Sequence, residues 1–200
     1  MAARNDKGPR RNRLITDACS ALKLLGIGEA LFKKGVLKLG DLIIHPRFFQ
    51  ETKKWHKDDP RRTKYAEEFK LASKIRAEPN ITADHDTQTI IGQTVRATKD
   101  HIGLSAGGAD IEQLISCIHF ELDLVTNDDG FSKLAIAFEV TTYTAEKILV
   151  EAISDAVITK NEAIAVLRKW KQNGEKAAKL EDERALIKCG IDCVRGFICD

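Results

Sequence analysis

Residues 119–143, HFELDLVTNDDGFSKLAIAFEVTTY, decide how the rest of the chain is read. HFELDLV alternates apolar and polar residues, TNDDG is a cluster of turn formers, and FSKLAIAFEV alternates again with Leu134, Ile136, Phe138 and Val140 on one face. Two alternating runs joined by a five-residue turn are the signature of an antiparallel hairpin, so a single one is expected around residues 118–142. The competing assignment makes both runs helical, because Phe131, Leu134, Ala135 and Phe138 also fit a 3.6-residue period.

Outward from this stretch the spacing is mostly helical, and the expected fold class is mainly α. On the carboxyl side, Ile148, Leu149, Ala152 and Ile153 mark a helix over Thr144–Ala156. Thr159 and Glu162 form a capping-box pattern, followed by a stripe of Ala163, Val166, Leu167 and Trp170 that runs to about Gln172. A last helix is expected over Glu175–Lys188. On the amino side, Asp86–Lys99 reads as a helix, and the paired glycines of SAGGAD (residues 105–110) read as a loop leading into the next one. That loop lacks a phosphate-cradling pattern, and Asp110 and Glu112 after it repel phosphate. Asp59-Pro60 has the form of a helix start, and Tyr65, Phe69, Ala72 and Ile75 give the helix Pro60–Arg76 its apolar stripe. Val36–His45 fits a buried strand or a helix end, with helix or turn preferred. Leu14–Leu25 and Glu29–Lys34 read as two short helices across a Gly-containing turn, a pattern shared by helix-turn-helix units and ordinary helical hairpins.

Charge divides the chain. Residues 1–76 hold 19 Lys or Arg against 9 Asp or Glu, whereas residues 77–200 hold 13 against 21. A basic half attracts polyanions and an acidic half stays off them. Three segments follow: a basic arm over 1–13, a basic helical nucleic-acid-binding segment over 14–78, and an acidic helical segment over 79–200 for oligomerisation or partner binding. Arg10, Arg11, Arg13, Lys53, Lys54, Arg61, Arg62 and Lys64 are the candidates for neutralising phosphates.

No apolar run approaches the roughly 20 residues of a membrane helix, and the start lacks the apolar centre of a secretory signal. A cytoplasmic protein without a membrane partner is expected. Cys19, Cys117, Cys189, Cys193 and Cys199 are an odd set without disulfide or zinc-knuckle spacing, so neither a disulfide framework nor a metal is expected. The Asp84-His85-Asp86 cluster serves as well for capping a helix as for orienting a base. No catalytic signature is present, and neither enzymatic activity nor a cofactor is expected.

DAVITKNEAIAVLRKWKQNGEKAAKL, residues 155–180, resembles the C-terminal helical region of some phage-encoded lysogeny regulators. In these an acidic-Gly turn leads into Ile-Thr, two variable residues and Glu before a long helix. Asp155, Ile158, Thr159 and Glu162 match, while Ala156 stands in place of the glycine. The resemblance covers about an eighth of the chain and implies DNA binding through an amino-terminal helix-turn-helix, together with self-association. The reading is therefore a non-enzymatic, oligomeric nucleic-acid-binding protein of the phage or mobile-element transcription-regulator kind, with DNA favoured over RNA. The alternative is a helical protein–protein interaction module, such as an assembly subunit, adaptor or inhibitor, that uses its oppositely charged halves.

Overall fold

In the computed structural model, residues 12–54, 60, 64–75, 81–174 and 180–191 are described. Four parallel strands form one sheet: β1 (Arg13–Thr16), β2 (Asp41–Ile44), β3 (Asp123–Val125) and β4 (Thr142–Tyr143), in the order β2-β1-β3-β4. Among the described residues the helices are α1 (Ala18–Leu25), α2 (Pro46–Lys54), α3 (Ala66–Ala72), α4 (His85–His101), α5 (Gly108–Phe120), α6 (Asp129–Ile136), α7 (Ala145–Ser154), α8 (Lys160–Gln172) and α9 (Leu180–Lys188). The fold is α/β, which corrects the expectation of a mainly α chain with an antiparallel hairpin.

The physical reason for the correction lies in burial on both sides. Ile15, Ile43 and Leu124 are aligned across the sheet and pack on one face against Val95, Ile111, Leu114, Ile115, Phe131 and Leu134. Leu14, Leu42 and Val125 face the other way, against Ile148, Leu149, Ala163, Leu167 and Trp170. A parallel strand covered on both faces is a short apolar run without a polar alternate, so LII and LV carry no period that separates them from a helix. In residues 119–143 only Asp123–Val125 and Thr142–Tyr143 are strand, and they pair in parallel across the intervening α6. Helix α5 ends at Phe120, where Glu121 takes the left-handed conformation (φ 53°) as its C-cap. Helix α6 buries Phe131, Leu134 and Ala135, with Ile136 left exposed.

Leu14–Thr16, read as the start of a helix, belongs to the strand before α1, and Glu29–Phe32 is a 3-10 turn. Residues 41–44, read as helix or turn, are strand β2. The stripe Tyr65, Phe69, Ala72 and Ile75 does face inward, joining Ala21, Leu25, Ile44 and Phe48 in a cluster formed by α1, α2 and α3. Thr159 and Glu162 form the expected capping box of α8.

Sheet β2-β1 comes from the segment before residue 78 and β3-β4 from the segment after it, joined through the β1–β3 pairing. Strand order therefore reverses between β1 and β3. In open parallel sheets such a reversal leaves a crevice at the carboxyl ends of the strands, where ligands bind.

Candidate functional site

The loops and helix starts beyond the carboxyl ends of β1, β2 and β3 carry the site. Asp17 directly follows β1 and is the N-cap of α1, accepting the Ser20 N–H at 2.6 Å. Ser and Asp are favoured at such caps because their oxygens take up backbone donors that the helix leaves unpaired. Thr126, after β3, accepts the Asp128 N–H at 3.0 Å and hydrogen-bonds the Asp17 carboxylate. Asp128 in turn N-caps α6 through the Phe131 N–H at 2.7 Å. Asp110, in the first turn of α5, accepts the Gly107 N–H at 2.7 Å.

Asp17 and Asp128 follow the paired strands β1 and β3, and Asp110 lies within electrostatic reach of both. Burial pushes the Asp17 carboxyl above the usual carboxylate range, against the hydrogen bonds from Thr126 and Ser20, and the Asp110 charge pushes it further. Asp110 is raised for the same first reason, and the Asp128 charge adds to it. Carboxyls pushed up by burial and by one another in a crevice are a feature of functional sites as well as of some structural networks. Beside them, His45 follows β2 and is fully buried. Its Nδ1 accepts the Arg47 N–H at 3.2 Å, which leaves the proton on Nε2 for Ser116 Oγ at 3.1 Å. Burial lowers its pKa to about 4, outweighing Glu112, which raises it, while Arg47 lowers it further, so the imidazole is neutral at pH 7.

Next to Asp128, a cavity of about 110 Å³ opens among Thr126, Asn127, Asp129, Ser132, Thr142 and Tyr143. Hard carboxylate and hydroxyl oxygens of this kind suit a divalent cation such as Mg²⁺ or Mn²⁺. Among the described residues, however, no three His, Cys, Asp or Glu side chains are grouped to hold a metal ion. Each of the three aspartates has one oxygen committed to a backbone N–H.

Of the eight cations expected to contact phosphate, the three with described side chains, Arg13, Lys53 and Lys64, lie in separate surroundings. Arg10, Arg11, Arg61 and Arg62 lie outside the described residues, as does the side chain of Lys54, whose backbone belongs to α2. Arg13 opens β1, at the opposite end of the sheet from the aspartates, beside Phe32, Lys34 and Asp41. Lys53 is exposed on α2, in a groove shared with Thr52, Ala66 and Phe69. Lys64 Nζ sits 5.1 Å from the Tyr65 ring centroid.

Other cations of the basic half are matched by carboxylates of the acidic half. Arg47 forms a two-pronged pair with Glu112, Lys23 pairs with Glu146 at 3.5 Å, and Lys38 pairs with Asp155 at 3.0 Å. Lys169 reaches back to Glu68 on α3. The charge asymmetry along the sequence is thus partly consumed inside the fold.

Asp17, Asp110 and Asp128 were not among the candidates. Asp17 sat within an expected helix, Asp110 counted only as repelling phosphate, and Asp128 belonged to a turn cluster. The one available signal is an Asp within three residues of the end of each of two short apolar runs, Leu14-Ile15 and Leu124-Val125. Of the other candidates, Asp84 serves as the N-cap of α4, accepting the Thr87 N–H at 2.9 Å. Cys117 is buried with its thiol pushed far up by burial, which makes it unreactive. Cys193 and Cys199 lie outside the described residues. Comparison of the chain with protein-family models, curated proteins and solved structures gives no match.

Proposed function

We propose that the protein acts on nucleic acid as a phosphodiester hydrolase, with a divalent cation held by one or two of the carboxylates of Asp17, Asp110 and Asp128 and completed by water and the substrate phosphate. The observation that carries this reading is the placement of Asp110 within electrostatic reach of Asp17 and of Asp128 beside the strand-order reversal, with Asp17 and Asp110 raised above their ordinary proton affinity. The argument is electrostatic. A crevice lined by carboxylates repels a phosphate unless a cation stands between them, and several cations of the chain are already paired elsewhere. The cation would screen the phosphate and polarise its oxygens. Asp110, the more exposed of the two raised carboxyls, is suited to take a proton from the attacking water. Water oxygen then bonds to phosphorus, the phosphorus–oxygen bond to the leaving nucleoside breaks, and that oxygen gains a proton.

The basic amino-terminal half supplies the attraction to a polyanion that the sequence reading assigned to it. This reading adds a metal and chemistry to the cation-free binding expected from charge alone. The test is incubation of labelled single-stranded RNA and of single- and double-stranded DNA with the protein in Mg²⁺, Mn²⁺ or EDTA. Cleavage that needs the cation and is lost in Asp110→Asn supports the reading. Intact substrate under all conditions, at protein concentrations that saturate binding, removes it.

A second reading keeps the protein a DNA-binding transcription regulator without chemistry. It is favoured by the excess of Lys and Arg in residues 1–76, 19 against 9 Asp or Glu, which attracts a polyanion without any chemistry. Salt-sensitive DNA binding without cleavage supports it.

A further inference from the structure

One charged cluster in the molecule lies outside the three aspartates yet touches their support. Lys23 on α1 and Glu146 on α7 are both buried, with side-chain exposures of 4% and 1%. Their separation of 3.5 Å is long for a charge-assisted hydrogen bond, and Glu146 Oε1 accepts no hydrogen bond among the described residues. At such loose geometry the Lys23–Glu146 contact by itself regains little of the desolvation cost of the pair. What the pair does is directional. The other carboxylate oxygen, Glu146 Oε2, accepts from Asn127 Nδ2 at 2.6 Å. That bond fixes which end of the amide points where: Asn127 Oδ1 accepts the Ala145 N–H at 2.9 Å and lies 3.5 Å from Ser20 Oγ. Ser20 donates its N–H to Asp17, and Asn127 immediately precedes Asp128. Lys23 is itself fixed, with Nζ 5.4 Å from the ring centroid of Trp170 on α8.

We infer that Asn127 is a positioning residue for Asp128, and that the buried Lys23–Glu146 pair holds its amide in the orientation that does this. The inference rests on the reading of the crevice as a hydrolytic site and names what keeps one of its carboxylates in place. The pair can be removed without leaving a buried charge, since apolar replacement of both partners tends to preserve or raise stability. In Lys23→Met/Glu146→Leu the melting temperature is expected to hold. Hydrogen exchange at the Ala145 and Phe131 amides is expected to quicken by about tenfold or more while that of Ile15 in β1 stays unchanged. With Mn²⁺ and labelled nucleic acid, kcat is expected to fall about tenfold or more with KM within about threefold, because misplaced carboxylates act on the chemistry rather than on binding. Exchange at both amides that matches the parent protein, or an unchanged kcat, overturns the inference.

Should the double variant not fold, Asn127→Asp replaces only the Nδ2 donor with an oxygen that Glu146 repels. Faster exchange at Ala145 and Phe131 in that variant supports the inference, and unchanged exchange overturns it. If the parent protein hydrolyses nothing, the hydrolase reading fails by itself and the exchange measurement still decides the role of Asn127.

Discussion

The two ends of the sheet are built from the same four short strands but treat charge in opposite ways. At the amino end, Arg13, Lys34 and Asp41 line one cavity, so cations and a carboxylate share a partly wet surface, and Asp41 also accepts the Gly35 N–H at 2.7 Å. At the carboxyl end, Thr126 hydrogen-bonds both the Asp17 carboxylate and the Asp128 N–H, Asp110 lies within electrostatic reach, and burial and like charge raise Asp17 and Asp110. The second arrangement costs stability where the first does not, because ionised carboxyls brought close together out of water oppose folding. The contrast is what the proposed hydrolytic reading rests on, with the carboxyl end as its site and the amino end as its structural counterpart.

The largest effects should separate the two ends. Asp17→Asn retains an N-cap of equal quality, so α1 should survive. Hydrolysis of labelled nucleic acid, measured in Mn²⁺, should fall by about a hundredfold or more. The same substitution should raise thermal stability at pH 7. A raised native pKa means that the ionised carboxyl opposes folding once pH exceeds it, and the amide carries no such penalty. Melting curves of the two proteins should converge as pH falls below 3.8, where Asp17 is protonated both folded and unfolded. If Asp17→Asn is less stable at pH 7 than the parent, the carboxyl end is an ordinary stabilising network and the contrast between the ends is lost.

His45 gives the next effect, with the opposite sign. Its native pKa lies below its unfolded value of 6.5, so the neutral ring contributes stability above pH 6.5 that is lost as pH falls toward 4. The loss amounts to about 3 kcal/mol, and urea midpoints between pH 7 and 4 should show it. His45→Gln should flatten that part of the profile.

At the amino end the largest effect should be steric. A Cβ on Gly40 would stand 2.5 Å from Asn12 O and 2.6 Å from Leu14 Cδ1. Gly40→Ala should therefore destabilise by about 1–3 kcal/mol, while kcat per folded molecule stays at the parent value. Loss of turnover in excess of the unfolded fraction would show that the two ends are coupled. The smallest effect is Thr144→Ala, which removes the N-cap accepting the Lys147 N–H at 3.1 Å. It should cost about 1 kcal/mol of stability in chemical denaturation.

What was legible in the sequence follows from length. Helices α4, α7 and α8 are long enough for several repeats of their period, and Thr159 with Glu162 marks a start by chemistry that needs no tertiary context. Strands of two to four residues present at most one or two repeats. Leu14 and Ile15 therefore merged with the helix behind them, and Leu134 and Ile136 passed for strand positions although α6 buries the first and exposes the second. The site was illegible for a related reason. Asp17 is far along the chain from Asp110 and Asp128, and the β1–β3 pairing brings their segments together. Each by itself is an unremarkable helix-capping aspartate. The cations stood out in the sequence because they cluster along it, yet the fold pairs several of them with distant carboxylates.

The most direct measurement is calorimetric titration of Mn²⁺ into the protein and into Asp110→Asn, each verified as folded. The account predicts one saturable site per chain in the first and a loss of binding by about tenfold or more in the second. Equal binding by both proteins, or none by either, contradicts it.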